Sequence, residues 1–241
     1  MYNYDYLTLK ITERLENIKE AFNKHYPTNV KQKFYLNKFL PDFIYNTNAI
    51  DGNSLSAKDT FNIINRKIPK SKKHSEILEA ENMRDCFFFT LRQDNPTKSI
   101  LKQMHEIILK DIDGHAGSFR DHDVEIYGSK HLPCDYLLVE NELDKLLEWY
   151  DEVKNGKHPF ELAAIFHRRF AAIHPFFDAN GRIARLLTNY ILWQHKYPLF
   201  VFKHRHKKIY FQILEECNIN HLEEPFVNWF VEEYIKQNGK I

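Results

Sequence analysis

Two apolar stripes of helical period flank residues 174–185, and they limit the fold more than any other feature of the chain. Downstream, Ile183, Leu186, Leu187, Tyr190, Ile191 and Gln194 follow one another at spacings of three, one, three, one and three. Their apolar members make a stripe wide enough for a central buried helix. Upstream, Phe160, Ala163, Ala164, Phe166, His167, Phe170 and Ile173 form a similar stripe after His158-Pro159. Further helices are expected at about 5–23, 35–47, 56–68, 73–93, 97–111, 139–155, 208–219 and 223–237. Asn95-Pro96, Lys196-Tyr197-Pro198 and Glu224-Pro225 punctuate them, because proline fits a helix start far better than its interior. With only 7 Gly and 9 Pro in 241 residues, a turn-rich β-sandwich is disfavoured. One stretch differs. Phe119 to Leu138 carries Val124, Ile126, Gly128, Leu132 and Pro133 with local alternation and no helical stripe, so it predicts a short β-hairpin or flap. The expected fold is all-α with that hairpin. A helical N-terminal region (1–95) and a helical core (96–241) are expected to pack as one unit.

Charge and cysteine usage narrow the function classes. A formal net charge of +1 gives no electrostatic footprint for nucleic acid, so none is expected as a partner. A basic run, Lys203-His204-Arg205-His206-Lys207-Lys208, reads as a solvated helix start rather than a phosphate-tracking patch. Cys86, Cys134 and Cys217 are odd in number and lack CxxC spacing, which suggests reduced thiols rather than a disulfide framework. The segment MYNYDYLTLKITERLE has no apolar core of a signal peptide, and no run approaches the ~18 apolar residues of a membrane helix. A cytoplasmic protein without a membrane partner is expected.

Between the two stripes lies HPFFDANGRIAR. The upstream helix should end near His174, since the residue before a proline is pushed out of the α region. Phe176 or Phe177 can anchor the loop in the core. The next helix begins around Asn180-Gly181-Arg182, where free N–H groups and the positive end of the macrodipole suit a phosphate. Small residues at Ala179 and Gly181 permit close approach, and Arg182 and Arg185 can fork onto neighbouring phosphates. Asp178 would repel phosphate unless a cation such as Mg²⁺ bridges the two. A histidine at 174 suits removal of a hydroxyl proton near neutral pH. Any one of these residues has a plain structural explanation, such as packing, capping or surface pairing; their joint occurrence within twelve residues is far more specific.

These residues resemble the core motif of the Fic family, HPFx(D/E)GN(G/K)RxxR, preceded by a helix ending here as FHRRFAAI. The resemblance implies an all-helical Fic-type bundle. It also implies Mg²⁺-dependent transfer of AMP from ATP, or of another nucleotide moiety, to a Ser, Thr or Tyr hydroxyl of a target protein. Carried over by position, His174 is the base and Asp178 holds the metal. Asn180 and Gly181 cradle the inner phosphates, and Arg182 and Arg185 meet the outer ones. Gly181 favours nucleotidyl over phosphoryl transfer, because the phosphorylating branch has Lys there. Ala179 departs from the family's Gly. A positive φ there would cost about 1 kcal/mol, whereas a helical conformation would make Ala harmless, and the helical one is expected.

The resemblance extends outward. MHEIILKDIDGHAGSFR resembles the family's helix and Gly-x-x-Arg turn, Gly117 to Arg120, and DVEIYGSKHLP its flap. Tyr127, Gly128, Ser129 and Lys130 would then line the nucleotide and target groove, with main-chain pairing to an extended target segment. KKIYFQILEECN places Tyr210, Phe211 and Asn218 near the base and ribose, although an aromatic pair at helical spacing also fits a plain core. FIYNTNAIDGNSLS is similar to the inhibitory helix (S/T)xxxE(G/N), with Thr47, Asp51 and Gly52 at the matching positions. Asp51 would restrain Arg185 although Asp is shorter than Glu by ~1.5 Å. In relatives the Glu at this position also supports removal of AMP; with Asp51 in its place, de-AMPylation stays an open alternative. An ordinary helix C-cap and turn also explains Gly52. Oligomeric state can govern inhibition in this family, which leaves a homodimer open. Two other readings stand beside this one: a catalytically silent binding module of the same fold, and a metal-dependent hydrolase with His167, His174 and Asp178 as ligands.

Overall fold

The computed structural model describes residues 6–67, 69 and 71–239. Among the described residues the regular structure is entirely helical: α1 (Leu9–His25), α2 (Asn29–Ile50), α3 (Ala57–Ile64), α4 (His74–Thr90), α5 (Lys98–Leu109), α6 (Val139–Val153), α7 (Pro159–Ile173), α8 (Asn180–Gln194), α9 (Lys207–Asn220) and α10 (Glu224–Asn238). Short 3₁₀ turns at Tyr136–Leu138 and His204–His206 lead into α6 and α9. The expected start at residue 5 and end at residue 68 lie outside the described residues. No described helix is long and apolar enough to cross a membrane.

The two striped segments are the centre of the molecule. α7 and α8 pack extensively against each other, and twelve residues of each are buried. Helices hydrophobic on nearly all sides must be covered on all sides; α4, α5, α6, α9 and α10 supply the cover. One continuous core runs from Leu15 and Ile18 through Phe87, Leu101 and Met104 to Phe230 and Tyr234. His158 starts α7 by accepting the Phe160 N–H at 3.3 Å, with Pro159 at the first helical position where its missing donor costs nothing.

α2 corrects an expectation. It runs from Asn29 to Ile50 rather than over 35–47, capped at its start by the Thr28 hydroxyl, with Pro41 inside. Burial of Leu40, Phe43, Ile44 and Ile50 against the core holds this helix together across the lost hydrogen bond.

The hairpin expected within 119–138 is absent: among the described residues there is no strand. The chain turns once, with the Ser129 N–H donating to Ile126 O at 3.0 Å and Gly128 at φ 77°. Several of its N–H groups bond to side chains instead of to a ladder. The Lys130 N–H and the Ser129 hydroxyl both donate to Glu215, and the Tyr136 N–H donates to Asp123 at 2.9 Å. Alternation over three residues is too short to specify a pair of strands.

Three fully buried rings make stability pH-dependent. Burial pushes the His105 and His158 imidazoles down to about 4 and His167 down to about 3. Below the ordinary histidine value the unfolded chain therefore binds more protons than the folded one, so stability rises with pH from 4 to 6.5 and is flat above. Each ring contributes on the order of 2 kcal/mol by pH 5. Thermal melts should fall by at least ~10 °C between pH 7 and pH 5. An unchanged melting temperature over that interval would contradict neutral burial of these rings.

Candidate active site

α7 ends at Ile173 as expected, but through a left-handed cap: His174 has φ 51° and ψ 60°. The loop that follows closes on a second left-handed residue, Ala179, at φ 61° and ψ 3°. This corrects the helical conformation expected for Ala179. Such a residue costs about 1–2 kcal/mol relative to the right-handed region, and the surrounding loop holds it there. The Asn180 side chain makes two bonds to one residue, accepting the Phe176 N–H at 3.0 Å and donating to Phe176 O at 2.8 Å. Phe176 is the core anchor, stacked on His105 with centroids 4.0 Å apart and planes 8° from parallel. Phe177 is only half-buried, against the rings of His115 and His122.

Arg120 fixes the other side of the loop, and sequence reasoning did not place it in the site. Its N–H donates to Pro175 O at 3.0 Å and its Nε to His174 O at 2.9 Å. Its remaining guanidinium donors reach His122 O at 3.2 Å and Cys134 O. One buried cation thus ties the 122–134 segment to the backbone of His174. The Gly-x-x-Arg spacing was the available signal. His105 was also missed: its Nδ1 accepts the Gly117 N–H at 2.9 Å while its ring supports Phe176.

A cavity of about 830 Å³ opens beside this loop. His174, Asp178, Ala179, Asn180 and Gly181 form its floor, Tyr127 to Ser129 one wall, and Tyr210, Phe211, Glu215 and Asn218 another. The predicted base, loop, flap and α9 residues therefore share one space, with Lys130 just beyond Ser129. Burial pushes the His174 ring down to about 4; a hydrogen bond at the Ala171 carbonyl opposes the shift, and the charges of Arg120 and His131 add to it. The imidazole is neutral at physiological pH and can accept a proton. Asp178 is 63% exposed. Its Oδ1 accepts the Ala179 N–H at 2.5 Å and its Oδ2 meets Arg182 Nη2 at 2.7 Å. Burial raises its carboxyl, but the Arg182 charge and these two bonds outweigh that and hold it below the usual range.

Arg185 is completely buried, and α2 occupies it. Its Nε donates to the Thr47 hydroxyl at 2.7 Å, and its Nη2 donates to Thr47 O at 3.1 Å and Asp51 Oδ2 at 2.7 Å. Asp51 Oδ2 also lies 3.5 Å from Arg182 Nε. The shorter side chain reaches because α2 terminates at that point. Asp51 is the C-cap, Gly52 follows at φ 104°, and the Gly52 and Asn53 N–H groups bond back to Ala49 O and Asn48 O at 3.2 and 3.0 Å. That 6→1 and 5→2 pair is the glycine-terminated helix end. The capping role and the contact with Arg185 coexist: the cap aims the carboxylate. Arg185 Nη1 has no hydrogen-bond partner in the fold, and a Cβ added at Gly181 would stand 2.9 Å from it. Gly181 thus lets the buried guanidinium pack directly against the start of α8, and neither Arg182 nor Arg185 is among the residues that line the cavity.

Of the α9 residues, Tyr210 is buried, with its hydroxyl 2.8 Å from His167 Nε2, while Phe211 is 41% exposed. Asn218 accepts from Arg168 at 3.4 Å. His167 Nδ1 meets the Thr188 hydroxyl at 2.8 Å. Both His167 nitrogens are thus committed within the core, and His167, His174 and Asp178 form no metal-ligand cluster. The hydrolase reading loses its first ligand.

Comparison with known proteins agrees with this geometry. Residues 95–192 match the Fic/DOC family. The chain belongs to the Fic family. Among curated proteins, it is 28% identical over 240 residues to the protein adenylyltransferase Fic of Aedes aegypti, covering 95% of this chain and 47% of that protein. It is 29% identical over 230 residues to the protein adenylyltransferase fic-1 of Caenorhabditis elegans, covering 91% and 44%. The chain therefore spans about half the length of the curated relatives it matches. The fold is shared with a Fic domain containing signaling protein from Bacteroides thetaiotaomicron, at a TM-score of 0.85 and 23% identity over 95% of each chain.

Proposed function

We propose that this Fic domain is a protein adenylyltransferase: it transfers AMP from ATP to a Ser, Thr or Tyr hydroxyl of a target protein and is restrained by Asp51. The observation that carries the reading is the juxtaposition in one cavity of a neutral imidazole, an exposed carboxylate and the start of α8, with Gly181 beside the free donor of Arg185. The adenylyltransferase names of the relatives point the same way. The N–H groups of the first turn of α8 and the Arg185 guanidinium bind the triphosphate. His174 accepts the proton of the attacking hydroxyl, which lies between the loop and residues 127–130. Pyrophosphate leaves as the hydroxyl oxygen bonds to the α-phosphorus. Asp178 fits Mg²⁺, which takes one or two protein carboxylates and completes its shell with phosphate oxygens and water. When bound, the ion supplies charge neutralisation at the phosphates. Three unpaired thiols suit a reducing compartment.

The chemical nature of the adduct tests the reading. Incubation with Mg²⁺ and α-labelled ATP is expected to leave label on protein that phosphodiesterase releases and alkaline phosphatase does not. Release by the phosphatase alone would mean a phosphoryl adduct and overturn the assignment.

A further inference from the structure

The basic run 203–208 is divided by the fold into two sets. Lys203 pairs with Asp42 at 2.5 Å and His206 with Glu233 at 3.0 Å, both against the body of the protein. Arg205, Lys207 and Lys208, with His204, line the cavity that holds His174, and among the described residues these three cations have no carboxylate in ion-pair range. Arg205 has only a 3.3 Å contact with the neighbouring His206 ring. Lys207 and Lys208 are also the first two residues of α9, where cations oppose the helix dipole. Lys207 has one contact within the fold, its Nζ 5.7 Å from the centroid of the Phe211 ring, and no ion pair fixes any of the three, so the solvated helix start expected from sequence accounts for only part of the run. Across the cavity the only carboxylate on the α9 wall, Glu215, is already engaged by Ser129 and Lys130, and Tyr127 stands fully exposed.

We propose that Arg205, Lys207 and Lys208 form a docking rim for an acidic segment of the acceptor protein, beside the hydroxyl that receives the nucleotide moiety. The inference rests on the adenylyl-transfer reading for its biological use but not for its binding chemistry. Exposed charge pairs are individually weak and add up when several act together. In the adenylyl-transfer reading the phosphates of the nucleotide have their own donors, the free N–H groups at the start of α8.

The probe is a fluorescent random copolymer of Glu and Tyr, with a copolymer of Lys and Tyr as its opposite. Fluorescence anisotropy is expected to show binding of the acidic polymer alone, weakening between 0.05 and 0.5 M salt. Lys207→Glu/Lys208→Glu, which places favourable charge at the α9 N-terminus and so keeps the fold, should raise its Kd about tenfold or more. Absence of binding by the natural chain, an unchanged Kd in the double variant, or displacement of the polymer by ATP would overturn the rim. Transfer from α-labelled ATP is read in parallel: binding without transfer to any acceptor would sink the adenylyltransferase reading and leave the rim standing. Self-labelling without binding of the acidic polymer would do the reverse.

Discussion

Replacing His174 with alanine is expected to lower the proposed AMP transfer by at least about a hundredfold, the usual loss when a positioned general base is removed. The fold should survive: the loop is held by Asn180, Phe176 and the Arg120 bonds to main-chain oxygens, none of which needs the imidazole. A melting temperature close to that of the natural chain, together with lost transfer, separates a chemical role from a structural one. The pH profile carries a second signature. With the ring pushed down to about 4 by burial, the free protein holds His174 neutral from pH 8 to pH 6. The apparent second-order rate constant kcat/KM should then stay level through 6.5, where a solvated histidine would titrate. A descending limb centred near 6.5 would mean that the ring is not buried in the working protein.

Asp51→Gly is expected to raise transfer by about tenfold or more. Among the described residues Asp51 supplies the only carboxylate bonded to the buried guanidinium of Arg185, at 2.7 Å, and in the proposed function a nucleotide phosphate competes for the same donor. A hydrogen bond to a charged group contributes about 1.5–3 kcal/mol, which corresponds to about a tenfold to hundredfold gain in nucleotide occupancy when the competitor is removed. The Thr47 contacts keep Arg185 in place after the substitution. The gain has a cost in stability, since an ion pair within the fold is broken from one side. Unchanged transfer in a folded Asp51→Gly protein would remove the restraining role of this residue.

Helical periodicity was legible because α7 and α8 bury their faces continuously, and burial is what a stripe records. The loop between them was legible for a different reason: chemistry concentrated in twelve residues cannot be rearranged without losing the spacing of His174, Asp178, Arg182 and Arg185. Conformation inside that loop was not legible. Ala179 is left-handed because Asn180 and the two flanking helices fix the path, and residue identity alone pointed to a helix. The 124–130 segment misled because three alternating residues imitate a strand, while the partner that decides their pairing, Glu215, lies eighty-five residues away from Lys130. Arg120 and the division of the basic run depend on similarly distant contacts. The reach of Asp51 to Arg185 followed from a local cue, Gly52, whose positive φ ends α2 where the carboxylate faces the guanidinium.

The most direct measurement compares four proteins with Mg²⁺ and α-labelled ATP: the natural chain, Asp51→Gly, His174→Ala and the Asp51→Gly/His174→Ala combination. Strong protein labelling is expected in Asp51→Gly, weaker labelling in the natural chain, and none above background in either protein that lacks His174. Labelling of the combined variant at the level of Asp51→Gly would contradict the assignment of His174 as the base.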